Sequence, residues 1–235
     1  MLSDRLGESA MHIHLPKPLH GWREFVGEVG VIVLGVLIAI GFEQIVEQIH
    51  WAGEVRSARS ALRGEMQQPD RVFAYRVAAQ SCIAHRLDDI STLVERAAKH
   101  APVPRVGSVI PDIGNALNDN VWETYRASQT LAHFDDEDLG LLGIYYTQLG
   151  NIRRFEGEEN RDWGVIKVLE GDPSRLGPED IAGIRVAIQN ARFDNSIIAS
   201  IAADELDYSR RFGVSPPKAN SSRLKEVCAP LRVTA

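Results

Sequence analysis

The sequence has few cysteines, no excess of basic residues and only one long apolar run, and each shortage excludes a class of protein. Two cysteines in 235 residues, with no C-x-x-C pair, give no basis for a zinc ribbon or a thioredoxin-like motif. A net charge of −6 argues against nucleic acid as a partner, because binding it needs a concentrated basic surface. With a mean hydropathy of −0.15, the chain is too polar for a protein with many membrane spans.

Catalytic and cofactor motifs are also missing. The sequence contains no H-E-x-x-H, P-loop, G-x-G-x-x-G or G-x-S-x-G pattern. Glu47 and His50 form the Glu-x-x-His spacing of di-iron bundles, but such a site needs a second copy, and the sequence has none. His12 and His14 supply only two metal ligands, on a short N-terminal tail. No catalytic residue, cofactor or metal is therefore predicted.

One segment has the character of a membrane span, Val26 to Val46. Glu28 and Glu43 lie just inside its two ends, where they would reach the lipid headgroups, and Trp22 and Trp51 flank it. A helix joining these tryptophans is about 43 Å long, close to the thickness of a bilayer with its interfaces. The four flanking residues are predicted to mark the membrane interface.

Other readings of this segment are a buried core helix, a cleaved signal peptide and a peripheral amphipathic helix, the last disfavoured because the apolar stretch has no polar face. The run is apolar on all sides, whereas the other helical segments have two faces, which favours a span over a core helix. Its N-terminal flank is long and contains Glu24, which disfavours a signal peptide. Within the span, Gly35 and Ala39 give the small-x-x-x-small spacing of helix packing in membranes.

The basic residues beside the span predict its orientation. Lys17 and Arg23 lie close before it, whereas Arg56, the first basic residue after it, comes ten residues beyond Val46. Since basic residues near a span remain inside, we expect a cytoplasmic N-terminus and a bundle outside the cytoplasmic membrane. In that oxidising compartment Cys82 and Cys228 would form a disulfide; in the cytosol they would be two free thiols.

The rest of the chain predicts an all-α protein, in which the anchor helix is followed by an elongated antiparallel bundle. We expect a tail over residues 1–21, the anchor over 22–50, the bundle over 51–214 and an irregular tail over 215–235. Apolar residues at helical spacing, with breaks at prolines and glycines, predict helices over residues 51–66, 70–99, 120–134, 135–169 and 178–212. Pro69 is expected to break or kink the first of these helical patterns.

Two side-chain clusters were weighed as sites. Several acids interrupt one helix beside arginines, and such a group could do acid–base chemistry or hold a charged ligand, although a solvated, salt-bridged face is the simpler explanation. These residues are Glu156, Glu158, Glu159 and Asp162, with Arg153, Arg154 and Arg161. Aromatic residues at helical spacing suit a ligand pocket or a core; they are Trp122, Tyr125, Tyr145, Tyr146 and Trp163. The arginines at 56, 59 and 63, alternating with Glu54 and Glu65, indicate a solvated helix face.

Gly27-Glu28, six apolar residues, Gly35 and then Leu37-Ile38-Ala39 resemble the span of a known family. Its members are uncharacterised bacterial single-span membrane proteins with a G-E-(apolar)-G-I-L-I-A-L run before a polar, Trp-containing helix, and the resemblance covers residues 27–51. The resemblance implies a bacterial inner-membrane protein, and the family has no known activity to transfer to this chain.

Together these features favour a membrane-anchored extracytoplasmic helical module for binding, sensing or protein interaction. Its expected partners are the lipid bilayer, a membrane or periplasmic protein, or a second copy of the chain. The alternative is a membrane-tethered enzyme that uses the carboxylates of residues 156–162.

Overall fold

The computed structural model describes residues 21–111, 117–171 and 173–234. The predicted tail with His12 and His14 lies outside the described residues. The described chain is all-α, as predicted, with one short β pairing. Its helices are α1 (Trp22–Ala98), α2 (Asn120–Arg126), α3 (Asp136–Ile166), α4 (Pro178–Arg211) and α5 (Ser221–Val227), with 3₁₀ turns at Thr130–His133, Lys167–Glu170 and Pro173–Arg175. Strands β1 (Arg105–Val106) and β2 (Val233–Thr234) pair antiparallel.

The chain divides into two units, Met1–His50 and Trp51–Ala235, and α1 contributes to both. In the first unit, residues 29–42 of α1 carry no charged side chain, and their large apolar residues, such as Val31, Leu34 and Leu37, are exposed. Among the described residues, α1 alone is long and apolar enough to cross a membrane, and none of its most apolar 18-residue window is buried.

In the second unit α1 continues through Pro69, so the predicted break there is wrong. Proline cannot donate the helical hydrogen bond to the carbonyl of residue 65, which weakens the turn. However, Met66, Pro69 and Phe73 are all buried on the same side of the helix. The packing of both flanking turns outweighs the lost hydrogen bond.

Helices α3 and α4 form the predicted antiparallel hairpin, and α1 runs parallel to α3 and antiparallel to α4. Contacts between α1 and α3 rise together in residue number, from Glu65 with Tyr146 to Arg76 with Glu159. Between α1 and α4 they run in opposite directions, from Asp70 with Ser209 to Glu95 with Arg185. Because α1 and α3 run parallel, the chain has to return along the bundle between the end of α1 at Ala98 and the start of α3 at Asp136.

Two apolar cores lie along the second unit. The first joins the C-terminal half of α1 to the end of α3 and the start of α4, with residues such as Ile83, Trp163 and Ile184. The second joins residues 58–73 of α1 to the start of α3 and the end of α4. Buried polar groups lie between and beside these cores, and they carry the charged contacts described below.

Several helix ends lie where local signals predict them, although the helix predicted over residues 120–134 ends at Arg126 and a separate 3₁₀ turn follows at Thr130–His133. Asp135 caps α3, its carboxylate accepting from the Asp138 amide at 2.8 Å. Pro178 begins α4, and Gly213 ends it with φ +88°, a conformation that favours glycine. A side chain at residue 213 would also meet Arg63, whose Nη2 lies 2.8 Å from an added Cβ.

The C-terminal segment is more ordered than predicted, so the irregular tail of residues 215–235 is wrong in part. Asn220 caps α5, its side chain accepting from the amides of Ser222 at 3.0 Å and Arg223 at 3.2 Å. Val227 is buried in the first core, 3% exposed. A short helix with only one deeply buried residue has little sequence signal, because tertiary contacts supply most of its stability.

Candidate binding surface around α5

The end of α5 is fastened to α1. Cys228 follows the helix and is bonded to Cys82 of α1, with Cα atoms 4.8 Å apart. The predicted disulfide is therefore confirmed in the structure. Arg86, one turn after Cys82, donates from Nη2 to the carbonyls of Val227 at 3.3 Å and Ala229 at 3.0 Å. Burial lowers the pKa of Arg86, but the guanidinium stays charged and satisfies the carbonyls at the end of α5.

Two clefts flank α5. The first, of about 420 Å³, lies between α1 and residues 217–223, and we call it the basic cleft; it is lined by Gln68, Arg71, Val72, Tyr75, Pro217, Lys218, Asn220 and Arg223. The second, of about 460 Å³, includes Arg86, Lys225, Glu226 and Arg232. Each cleft presents three cationic side chains, although the whole chain has an excess of acids.

Several of these cations have no partner. Arg71 and Lys218 in the basic cleft, and Lys225 and Arg232 in the second, make no hydrogen bond or ion pair with any described residue. Most arginines elsewhere in the described bundle are paired, such as Arg153 with Asp119 at 2.7 Å and Arg185 with Glu95 at 2.8 Å, although Arg56 is not. The surface around α5 therefore concentrates positive charge that the fold itself does not neutralise.

The acidic stretch of α3 makes most of its contacts within the bundle. Glu159 is 1% exposed and pairs with Arg76, fully buried, at 2.9 Å. Burial raises the pKa of Glu159, against the lowering effect of Arg76. Asp162 accepts from Asn190 of α4 at 3.3 Å, and Glu158 pairs with Arg154 at 3.5 Å. The buried ion pair contradicts a solvated face at Glu159, whereas Glu158 fits one.

Two further acids near Glu159 are poor in partners. Burial raises the pKa of Glu156 to about 7 and that of Asp194, on α4, to about 6. The charge of Arg76 lowers the pKa of Glu156 as well as that of Glu159, so one guanidinium acts on two acids of α3. The acids interrupt the apolar stripe of α3 because they belong to a buried polar layer between the two cores.

A second buried polar group contains acids that sequence reasoning did not single out. Asp70, fully buried, accepts from Tyr145 Oη at 3.1 Å and from Ser209 Oγ at 2.8 Å. Burial raises its pKa to about 6. Glu205 is also fully buried, and neither carboxylate oxygen has a hydrogen-bond partner among the described residues. Burial, followed by the charge of Asp70, raises the pKa of Glu205 to about 9.

The aromatic cluster forms core contacts. Tyr145 and Trp163 are fully buried, and they belong to different cores. Trp122 stacks on Tyr146 with ring centroids 4.6 Å apart, and Tyr125 packs against the same core. Of the two readings weighed for these aromatics, the structure supports the core.

The solvated face predicted for residues 54–65 holds for Glu54 and Arg56, which are exposed, but not for Glu65 and Arg63, which make tertiary contacts. Glu65 accepts from the amides of Val121 at 2.6 Å and Trp122 at 3.1 Å, so it caps α2 from a distant part of the chain. Arg63 donates from Nε to the Phe212 carbonyl at 2.8 Å, at the end of α4. These charges pair with partners that are remote in sequence, which periodicity does not reveal.

At the anchor, the structure gives the predicted residues few neighbours. A Cβ added at Gly35 would meet no atom within 4 Å, so Gly35 and Ala39 remain predicted packing residues without an observed partner. Trp22 is 75% exposed. Trp51, predicted at the interface, stacks on His133 with ring centroids 3.9 Å apart. Glu28 and Glu43 are exposed.

No metal centre forms in the described part of the chain, where no three His, Cys, Asp or Glu side chains are grouped to hold an ion. Comparison with known protein families, with curated proteins and with solved structures finds no match for this chain. The α5 surface is therefore the candidate site that the structure itself offers. Its cations lie between Arg71 and Arg232 in the sequence, and no local motif could have joined them.

Proposed function

We propose that the protein is a single-span membrane protein whose bundle lies outside the cytoplasm and binds a ligand or partner through the surface around α5. The observation that carries this proposal is the Cys82–Cys228 bond, which fastens a cation-bearing helix to the bundle. Disulfides persist in oxidising compartments, which supports a bundle on the outer side of the membrane. The exposed apolar part of α1 supports the anchor.

The remaining parts of the proposal rest on sequence. Lys17 and Arg23 before the span favour a cytoplasmic N-terminus. The resemblance of residues 27–51 to uncharacterised bacterial single-span proteins favours a bacterial inner membrane. The expected partners are the lipid bilayer, a membrane or periplasmic protein, and a second copy of the chain.

A membrane-tethered enzyme that uses the acids of residues 156–162 is the alternative, and the geometry supports it less. A general base must reach its substrate, whereas Glu159 is closed off by Arg76. We therefore favour a binding module over catalysis.

Topology is tested first, on spheroplasts that contain the full chain. Added protease should digest the bundle, and alkylation of denatured protein without reductant should find no free thiol. Full protection from protease together with two alkylated thiols would place the bundle in the cytoplasm and overturn the proposal. A fragment of residues 51–235 should leave the membrane fraction, because the predicted anchor is gone.

A further inference from the structure

The basic cleft is built from two separate parts of the chain. One wall is α1, with Arg71 exposed above the buried Val72 and Tyr75. The other wall is the segment that enters α5, with Lys218 and Arg223. The disulfide at the other end of α5 fastens this helix to α1.

The charges in this cleft are of one sign. No acidic side chain is among the described residues that line it. Arg223 lies over the Tyr75 ring, its guanidinium carbon 4.8 Å from the ring centroid, which fixes the position of one cation. Arg71 and Lys218 are exposed, and neither is paired with a described residue. Three like charges facing one cleft repel each other, and an anion between them removes that repulsion.

We propose that the basic cleft binds a phosphate group of a small ligand. A phosphate monoester carries a charge of roughly −1.5 to −2 and three acceptor oxygens. It therefore balances most of the charge of Arg71, Lys218 and Arg223, whereas a single carboxylate balances only one of the three. Two guanidinium groups offer planar donor pairs that match phosphate geometry, and the lysine adds a point charge.

The size of the cleft limits the ligand. A volume of about 420 Å³ is in the range of small-molecule sites rather than of a protein interface. The phosphate belongs either to a soluble metabolite or to the headgroup of a membrane lipid. This inference deepens the proposed binding function and rests on it for its biological setting, although the binding itself does not depend on topology.

The first test titrates inorganic pyrophosphate into the purified full chain in non-ionic detergent, with the disulfide intact, by isothermal calorimetry. Saturable binding is expected. The variant Arg71→Gln/Lys218→Gln should weaken it about tenfold or more, because two charge-assisted contacts are lost. Both side chains are exposed and unpaired with described residues, so the fold should be unchanged, which circular dichroism checks.

The matched control is Lys225→Gln/Arg232→Gln, which removes the same charge from the cleft on the other side of α5. It should weaken pyrophosphate binding by less than about threefold, because screened charges beyond the site act weakly. Equal weakening by both double variants would show non-specific attraction and overturn the proposal. So would the absence of saturable binding by the wild-type chain.

Two further titrations separate the sources of the phosphate. Glycerol 3-phosphate and dihexanoyl phosphatidic acid carry the same phosphomonoester, without and with acyl chains. Tighter binding of the lipid indicates a headgroup ligand, and equal affinity indicates a soluble one; both support a phosphate site. If neither binds, the proposal fails. A reversed topology in spheroplasts would instead defeat the proposed function and leave the cleft chemistry standing.

Discussion

The unfolding free energy of the variant Glu205→Gln should increase, relative to that of the natural chain, as the pH rises. Glu205 is fully buried, and its pKa is raised from 4.5 to about 9, so it is protonated in the folded protein at pH 7 and ionised in the unfolded chain. A raised acid pKa contributes stability that is fully present below pH 4.5 and is lost as the pH rises through about 9. Each pH unit in this window costs about 1.4 kcal/mol.

Between pH 4.5 and 7 the ionisation of Glu205 in the unfolded chain therefore removes about 3 kcal/mol of stability. Glutamine has nearly the same shape and does not ionise, so the variant avoids this loss. The difference in unfolding free energy between variant and natural chain should grow by about 3 kcal/mol over this range. Contacts that differ between the glutamine and glutamate side chains at every pH cancel, because only the change of the unfolding free energy with pH is compared.

The assay is urea unfolding of the full chain in non-ionic detergent, followed by circular dichroism at pH 4.5, 5.5, 6.5 and 7. Asp207→Asn is the control, because it removes an exposed carboxylate of the same helix, 54% exposed and 3.1 Å from Arg210. The control should run parallel to the natural chain. If the Glu205→Gln curve also ran parallel to it, the assignment of a buried, protonated carboxyl would be refuted.

Three other perturbations follow from the contacts of the bundle. Cys82→Ser/Cys228→Ser opens a loop with a sequence separation of 146 and should lower the unfolding free energy by about 4 kcal/mol, measured by urea unfolding; no loss would show that the bond is not formed. Arg76→Met should cost about 3 to 5 kcal/mol, because Glu159 is left buried and unpaired, and Arg76→Met/Glu159→Leu should cost less than the single change. Glu65→Ala should cost about 1 to 2 kcal/mol through the lost cap of α2, with faster amide hydrogen exchange at the start of that helix; unchanged exchange would contradict this.

The main helices and their ends could be predicted because their signals are local. An apolar run without a polar face, the cap at Asp135, proline at residue 178 and glycine at residue 213 each act within a few residues of chain. The disulfide could also be predicted, because the sequence offers only Cys82 and Cys228 for pairing. The continuation of α1 through Pro69 could not be predicted, because it depends on which residues pack against the helix on both sides of the proline.

What the tertiary structure alone decided is which charges meet. Arg76, Glu159 and Glu65 look like ordinary helix-surface charges in the sequence, yet their partners lie 56 to 83 residues away. The parallel course of α1 and α3 sets those pairings, and a hydrophobic pattern fixes the face of a helix but not its direction in the bundle. The basic cleft has the same origin. Arg71 and Lys218 become neighbours only after the chain has folded and α5 has been fastened to α1, because side chains so far apart in sequence are joined by packing and by the disulfide rather than by any local interaction.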